Sequence, residues 1–527
     1  MRTQEENKDQ QSMRYPIGLQ TFADAITKDY LYIDKTEYVY RLAHGSKVYF
    51  LSRPRRFGKS MFLSTLDAYF RGEKELFKGL KIEKLEKEWE SYPVLHIDLS
   101  GENYSNEDAI ELHLNNTLAS WERIYGTQPS EKTLSSRFKG IIERAHEQTG
   151  KQVVILIDEY DKPLTEALNN DALNEKFRNE LRAFYGVLKS ADVHIRFAML
   201  TGVSKFSKIS IFSDLNQLKD ISLSPQYQAI CGFTDEELDT YCKEPIQEMA
   251  DANGKSYDTV REELRKMYDG YHFCRNGIGI YNPFSILNAL DDQVLESYWV
   301  QTGTPTFLVN LLKDSGLSIE NLSGGRVDEN LLGGKENFRD NPLPIMYQSG
   351  YLTIIGYDEE FHEYELGFPN EEVYVGFMKD LAPNYLQNKD GKSIFEVHKF
   401  VKDLRAGDVE MFMKRLQTLY ANLDFTIAGD KEMYFHNTLN IIFMMVGLYC
   451  EVERHTSNGS MDVTIKTNDF IYIMELKYDK SPEDALKQIE DKNYAAPFAM
   501  DKRKIIKLGI EFESETRGIK DWQVKYN

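Results

Sequence analysis

Residues 48–60 decide the fold, and they read Val48-Tyr49-Phe50-Leu51-Ser52-Arg53-Pro54-Arg55-Arg56-Phe57-Gly58-Lys59-Ser60. The stretch opens with a short apolar run typical of a buried strand, and residues 61–70 then carry apolar side chains at helical spacing. Between them, Gly58, Lys59 and Ser60 match the end of the pattern G-x-x-x-x-G-K-[ST], with Arg53 in place of its first glycine. The stretch therefore predicts a strand, a phosphate-binding loop and a helix.

The residue types of this loop have separate physical tasks. Gly58 lets the backbone approach phosphates, Lys59 neutralises their outer oxygens, and the Ser60 hydroxyl can ligate Mg²⁺. The N-terminus of the helix adds its dipole to the phosphate site. We expect Arg53, Arg55 and Arg56 to add positive charge around a bound nucleotide. The alternative is that the arginines of this loop are solvated.

A strand that ends in carboxylates supplies the second half of this chemistry. Residues 153–157 form an aliphatic run that is followed by Asp158 and Glu159. We expect Asp158 to hold magnesium and Glu159 to act as a general base toward water. The alternative is an ordinary strand that ends in a solvated acidic turn. A later run, 195–200, ends in Thr201, which either senses the γ-phosphate or satisfies the backbone at the strand end.

The apolar runs alternate with helical stretches through the N-terminal half. Strand-like runs at 94–99, 153–157 and 195–200 are separated by helical patterns at 108–125 and 174–189. This alternation predicts βαβ units and a parallel sheet that is covered on both faces. Residues 233–300 follow a helical pattern that begins after Thr234. Residues 321–344 contain paired glycines and indicate a loop or linker.

Near the C-terminus, two strand patterns bring a carboxylate pair and a lysine together. Asp462 lies in the alternating run 460–465, and residues 470–477 form a second run that contains Glu475 and Lys477. Glu475 and Lys477 are two positions apart, so they share one face of the strand. If the strands pair, Asp462 lies beside them. Two carboxylates and a lysine on one face suit a magnesium site for phosphodiester hydrolysis.

Further residues are candidates for support of this second site. Glu453 lies upstream of the strand pair, and a helical pattern at 485–494 carries Gln488 and Tyr494. We expect Glu453 to supply another carboxylate, and Gln488 and Tyr494 to return toward the site. The alternative is a hairpin with a surface Glu–Lys pair.

Composition limits the class of protein. Hydrophobic residues make up 41% of the 527-residue chain, which argues against wholesale disorder. The net charge of -20 argues against tight, constitutive coating of nucleic acid. The four cysteines form no CxxC pair, which makes a structural zinc site improbable. The longest apolar stretch, 441–450, is well short of the ~20 residues of a membrane span. We expect a cytoplasmic protein with no membrane partner.

The chain resembles a bacterial architecture in which an AAA-ATPase-like P-loop domain precedes a nuclease-like domain of the PD-(D/E)XK superfamily. In that family, an arginine at the position of Arg53 is a known variation of the loop. Seven segments of the N-terminal part carry this resemblance: Tyr15-Pro16-Ile17-Gly18, Tyr32-Ile33-Asp34-Lys35-Thr36, residues 53–60, Ile157-Asp158-Glu159-Tyr160-Asp161-Lys162-Pro163, Thr201-Gly202-Val203-Ser204-Lys205-Phe206, Tyr268-Asp269-Gly270-Tyr271 and Tyr281-Asn282-Pro283-Phe284-Ser285. In the C-terminal part it rests on Asp462, on Glu475-Leu476-Lys477 and on the helix from Gln488 to Tyr494. Nuclease-like domains of this kind usually carry Gly-Arg before the first aspartate, whereas this chain has Gly459-Ser460-Met461.

The motifs and the resemblance together predict an α/β protein with a P-loop NTPase parallel sheet, a helical middle region and a small restriction-endonuclease-like α/β domain. The expected segments are a disordered leader at 1–13, the P-loop domain at 14–230, a helical lid-like region at 231–320, a linker and small connecting domain at 321–393, and the nuclease-like domain at 394–527. The resemblance implies ATP and Mg²⁺ as cofactors, and DNA or RNA as partner.

Three functional hypotheses remain open at this point. The first is an ATP-regulated nuclease that acts on DNA or RNA. The second is a nucleotide-switched binding or signalling ATPase whose nuclease-like domain does not cut, which the residues before Asp462 favour. The third is an ATPase with an unrelated small-molecule or protein substrate. A homo-oligomer fits each of them.

Overall fold

The computed structural model describes residues 13–526 except 206–211, 213–214, 303–305, 316, 333–340, 388–394, 424–430, 458–459 and 514–517. The chain divides into two compact units. The first comprises Met1–Gly303 and Leu322–Tyr374, and the second comprises Thr304–Asn321 and Val375–Asn527. Of the leader predicted at 1–13, all but Met13 lies outside the described residues.

The two units group the chain differently from the predicted segments at 231–320 and 321–393. Both of these segments are divided between the units. Residues 317–319 belong to the second unit because the Asn437 side chain accepts a hydrogen bond from the Ile319 amide and donates one to the Leu317 carbonyl. Such long-range pairing leaves no local pattern in the sequence.

A five-stranded parallel sheet forms the core of the first unit, as predicted. Its strands, in the spatial order β2-β3-β4-β1-β5, are β1 (Val48–Ser52), β2 (Val94–Asp98), β3 (Val153–Asp158), β4 (Ile195–Gly202) and β5 (Leu218–Asp220). Every residue of β1 and β3 is buried, because both faces of the sheet are covered. The carboxyl ends of parallel strands meet at one edge, so the phosphate loop after β1 and the carboxylates after β3 lie at the same edge of the sheet.

Helices cover this sheet and build a separate helical core beyond it. The α-helices described up to Ser190 are Phe22–Thr27, Thr36–Ala43, Lys59–Phe70, Lys81–Leu85, Ala109–Tyr125, Leu134–Thr149, Lys162–Glu166, Asp171–Tyr185 and Val187–Ser190. Those of the predicted helical middle that lie in the first unit are Asp235–Tyr241, Lys243–Ala252, Tyr257–Tyr268 and Pro283–Asp292. The first of these begins as expected after Thr234, whose hydroxyl forms a capping box with Glu237.

Part of the predicted linker at 321–344 is regular structure. It contains strand β6 (Gly325–Asp328) and helices Glu329–Leu332 and Leu343–Ser349. Strand β6 joins β7 (Thr353–Asp358) and β8 (Glu363–Gly367) in an antiparallel sheet of order β6-β8-β7. The linker prediction was therefore wrong for these residues, because β6 becomes a strand through its pairing with β8 and not through its own apolar content.

The second unit is built on a five-stranded mixed sheet of order β13-β12-β11-β10-β9. Its strands are β9 (Glu451–Ser457), β10 (Ser460–Lys466), β11 (Phe470–Tyr478), β12 (Lys504–Glu513) and β13 (Gly518–Tyr526). Only β11 and β12 pair in parallel, and helix Pro482–Asp491 connects them. The other helices that the structure describes here are Thr306–Asp314, Val397–Ala406, Val409–Asn422, Lys431–Gly447 and Glu371–Tyr385, the last of which begins in the first unit.

The connecting helix Pro482–Asp491 packs closely on one face of this sheet. Ile489 lies in a small core with Ile471 and Ile473 of β11. At Gly509 of β12 an added Cβ would lie 2.1 Å from the Pro482 carbonyl oxygen, so glycine permits the close approach. This packing brings the helix over the face that carries Glu475 and Lys477. Among the described residues, none of the helices combines the length and apolarity needed to cross a membrane.

Candidate nucleotide and metal sites

The phosphate loop has the backbone that its sequence requires. Gly58 has φ +86°, a left-handed conformation that favours glycine, and helix Lys59–Phe70 begins at the next residue. The Lys59 ammonium donates to the carbonyl oxygens of Arg53 at 3.1 Å and Pro54 at 3.0 Å. Lys59 therefore folds back over its own loop, a position from which its charge can turn to phosphate oxygens.

Arg53, which replaces the first glycine of the pattern, supports the loop from behind. Its side chain is buried, and the guanidinium donates to the carbonyls of Ser222 at 2.8 Å and Tyr227 at 3.0 Å. It also lies 4.0 Å from the centre of the Phe273 ring. Arg53 is thus neither solvated nor a contact for phosphate; it ties the loop to the segment after β5.

The other two arginines of the loop are exposed and remain available to a ligand. Arg55 and Arg56 border the same cavity as Lys59. The Arg56 guanidinium lies 5.0 Å from the ring centre of Phe284, in helix Pro283–Asp292. The prediction that both arginines contribute to nucleotide binding fits this placement and stays a prediction.

The two carboxylates after β3 face different surroundings. Asp158 is buried, and its Oδ1 accepts hydrogen bonds from the Thr201 hydroxyl at 2.5 Å and the Glu159 amide at 3.0 Å. Glu159 borders the cavity, and burial raises the pKa of its carboxyl, an effect that the nearby Lys59 charge opposes. In this arrangement the Thr201 hydroxyl orients Asp158, so its role at the γ-phosphate stays a prediction.

A cavity of about 600 Å³ lies above the loop, which is a usual size for a small-molecule site. Lys59, Ser60 and Glu159 are among the polar residues that line it. Part of its apolar lining comes from segments to which the motifs alone assigned no role, among them Pro16, Ile17, Phe284 and Leu287. A cavity lined both by residues of the loop after β1 and by apolar side chains fits a nucleotide.

The oxygen donors at this edge of the sheet suit magnesium. Mg²⁺ binds through one or two carboxylates together with waters and substrate phosphates, and not through a complete protein cage. The Ser60 hydroxyl and the Asp158 carboxylate offer that limited donor set. Within the part of the chain that the structure describes, no group of three or more histidine, cysteine, aspartate or glutamate side chains could hold a metal ion.

In the second unit, the structure brings Glu475, Lys477 and Gln488 into direct contact. The Glu475 side chain is fully buried, and its Oε1 lies 2.8 Å from the Lys477 ammonium. Gln488 links the two, because its amide nitrogen donates to Glu475 at 2.5 Å and its oxygen accepts from Lys477 at 2.6 Å. The alternative of a surface Glu–Lys pair does not hold, since both residues are buried.

Asp462 occupies the register position opposite Glu475. Strands β10 and β11 are antiparallel, and the pairing sets Asp462 directly across from Glu475. Residues directly opposite in such a pair share a face of the sheet, with Cβ atoms ~5 Å apart. The side chain of Asp462 lies outside the described part. Its position and the buried Glu475 carboxylate together fit a magnesium ion that is held by two carboxylates and waters.

The two remaining candidates differ in their placement. Tyr494 lies at the site, because its hydroxyl is 3.5 Å from the Gln488 amide nitrogen. The Glu453 side chain is largely exposed and pairs instead with Lys466 at 2.8 Å. The structure therefore does not place Glu453 at the site as predicted, because Lys466 of strand β10 holds its carboxylate.

Comparison with known proteins finds a family model for each of the two regions that carry these residues. A family model described as "Predicted AAA-ATPase" matches residues 16–212, and the model of the PD-(D/E)XK nuclease superfamily matches residues 430–522. The chain is also similar to an "Uncharacterized protein in vnfD 5'region" of Azotobacter chroococcum mcd 1. The two are 34% identical over 523 residues, which cover 96% of this chain and 98% of the relative.

Proposed function

Because this chain belongs to the family that joins an AAA-ATPase-like domain to a PD-(D/E)XK nuclease superfamily domain, we propose that it is an ATP-regulated, metal-dependent nuclease. Two arrangements of side chains support the proposal, one in each compact unit. The first is the cavity bordered by Lys59 and Glu159, and the second is the buried cluster of Glu475, Lys477 and Gln488.

In the ATPase site, each polar residue has a task that follows from its position. Lys59 turns from the loop carbonyls to the β- and γ-phosphate oxygens, because they carry more negative charge than a carbonyl. Ser60 and Asp158 hold the magnesium ion that accompanies ATP. Glu159 faces the cavity and accepts a proton from the attacking water. Arg55 and Arg56 add positive charge at the cavity mouth.

In the nuclease-like site, Glu475 and Asp462 hold the metal and Lys477 offsets the charge that develops on the phosphate. A bound magnesium ion supplies Lewis-acid activation of water and of the scissile phosphate. Gln488 fixes the direction of both Glu475 and Lys477 through its two hydrogen bonds. The observation that carries the proposed cutting is this bridge, because a lysine and a carboxylate held by one amide are preorganised before substrate binds.

The test is cleavage of single- and double-stranded DNA and RNA with magnesium or manganese, with and without ATP. We expect Glu475→Ala to abolish cutting and Lys59→Ala to remove its response to ATP. Glu483→Ala, which removes an exposed carboxylate from helix Pro482–Asp491, is the matched control and keeps full activity. Cutting that persists in Glu475→Ala would refute the assignment of the site.

A nucleotide-switched binding protein is the second candidate function. Two observations favour it: Ser460 stands where related domains carry a basic residue near the aspartate, and the net charge of the chain is -20. In that case wild type and Glu475→Ala would be equally inactive on every substrate while ATP hydrolysis stays intact. The salt dependence of binding then tests for a nucleic-acid partner, because contacts to phosphate weaken steeply with salt and an affinity indifferent to salt argues against them.

A further inference from the structure

Glu159 has a backbone conformation that an isolated glutamate avoids. Its φ of +48° lies in the left-handed region, where the side chain of an L-residue crowds its own backbone. Such conformations persist only where the surrounding structure holds them. The residues that hold Glu159 therefore control the direction of the proposed general base.

Tyr160 and Asp161, the next two residues, supply that support. The Tyr160 amide donates to the Thr201 carbonyl at 3.0 Å, and the Tyr160 hydroxyl donates to the Ser204 carbonyl at 2.8 Å. The Asp161 carboxylate accepts from the amides of Val203 at 3.2 Å and Ser204 at 2.7 Å. It also accepts from the Ser204 hydroxyl at 2.5 Å. Tyr160 and Asp161 are both buried, so these bonds form away from solvent.

Gly202 makes this close contact sterically feasible. A Cβ at this position would lie 2.3 Å from the Asp161 Oδ1 and 2.6 Å from the Tyr160 ring. The two segments after β3 and β4 thus fit together only with glycine between them. The contact gives a structural role to Tyr160, Asp161 and Gly202, to which the phosphate chemistry assigned none.

The same segment after β4 carries Thr201, whose hydroxyl holds Asp158. We infer that Asp161 is the positioning residue of the ATPase site. Its carboxylate joins the turn after β3 to the end of β4, which keeps Glu159 directed into the cavity and Thr201 against Asp158. This role rests on the proposed function, because it assigns the part that Asp161 plays in ATP hydrolysis.

Substitution of Asp161 by asparagine separates positioning from binding. The amide nitrogen that replaces one oxygen would face backbone N–H donors, so the turn loosens while the side-chain volume is kept. We expect Asp161→Asn to lower kcat for ATP hydrolysis ~10²-fold, the lower end of what a well-placed general base contributes. The KM for ATP should change less than ~3-fold, because the phosphate loop is untouched.

A double-mutant cycle tests whether Asp161 acts through Glu159. In a Glu159→Gln background, adding Asp161→Asn should cost less than ~2-fold in kcat, because the group that it positions is already absent. The inference would be overturned if the losses in kcat of Asp161→Asn and Glu159→Gln multiplied in the double variant, or if Asp161→Asn alone kept the kcat of wild type. Ser204→Ala, which removes one bond and keeps the backbone amides, should lower kcat less, and only when Glu159 is present; it serves if Asp161→Asn does not fold.

Controls distinguish this inference from the proposed function. Asp408→Asn makes the same exchange at an aspartate that caps helix Val409–Asn422 in the second unit, and it should leave ATP hydrolysis unchanged. A wild-type protein without ATP hydrolysis would refute the proposed function and the positioning role with it. Hydrolysis that is lost in Glu159→Gln and unaffected in Asp161→Asn would overturn the positioning role alone.

Discussion

Glu372 makes the stability of the first unit dependent on pH. Its side chain is fully buried, and its carboxylate accepts hydrogen bonds from the Ser285 hydroxyl at 2.7 Å and the Trp299 amide at 2.6 Å. Burial raises the pKa of this carboxyl from 4.5 to about 7, although the hydrogen bonds act in the opposite direction. The folded protein therefore retains a proton on Glu372 at pH values where the unfolded chain has lost it.

The sign of the effect follows from linkage. A carboxyl whose folded pKa lies above its unfolded pKa contributes stability that is fully present below about 4.5 and is lost as pH rises through about 7. Between pH 5 and pH 8 the expected loss is about 2–3 kcal/mol, at 1.36 kcal/mol for each pKa unit. Glu372→Gln removes the titration, so its free energy of unfolding should rise relative to that of wild type by this amount over the same range.

Urea unfolding followed by tryptophan fluorescence measures the effect. In a Trp522→Phe background the remaining tryptophans, Trp89, Trp121 and Trp299, all lie in the first unit, so the signal reports that unit. Glu371→Gln, an exchange at the exposed neighbouring residue, should leave the pH dependence as in wild type. A difference between Glu372→Gln and wild type that stays constant from pH 5 to pH 8 would refute the reasoning.

Two further predictions concern the nuclease-like site. Gln488→Ala should lower the rate of cutting ~10-fold or more with little loss of fold, since it removes the amide that holds Glu475 and Lys477; an unchanged rate in a cleavage time course would exclude this role. Glu453→Ala should leave cutting within ~2-fold of wild type, because its carboxylate is held by a lysine away from the site; a rate as low as that of Glu475→Ala would show that Glu453 joins the site during catalysis.

The local parts of the fold were accessible from the sequence because their signals are short in range. The run before Gly58 and the apolar spacing after it predict β1 and helix Lys59–Phe70, and the structure contains both. The shared face of Glu475 and Lys477 follows from the two-residue period of a strand. The parallel sheet follows from the alternation of strands and helices.

Other features depend on partners that are distant along the chain. The polar neighbours of Arg53 in the sequence favour an exposed side chain. It is instead buried, because carbonyls 169 and 174 residues away accept its hydrogen bonds. Strand β6 has little apolar content and exists through its pairing with β8. Glu453 and Glu475 have the same sequence pattern of an acidic strand residue, and only their neighbours show that Glu453 pairs with Lys466 while Glu475 is buried.

The residues predicted to bind phosphate and metal stand out from the sequence alone, because glycine, lysine, serine and carboxylates at these spacings have few other uses in combination. The sequence also determined the class of each unit through the period of its apolar residues. The tertiary structure decided which side chains meet: Gln488 bonds to both Glu475 and Lys477, and Asp161 bonds to the segment after β4. The reason is physical, since a hydrogen bond requires contact within about 3 Å, and such contacts between distant segments are set by packing.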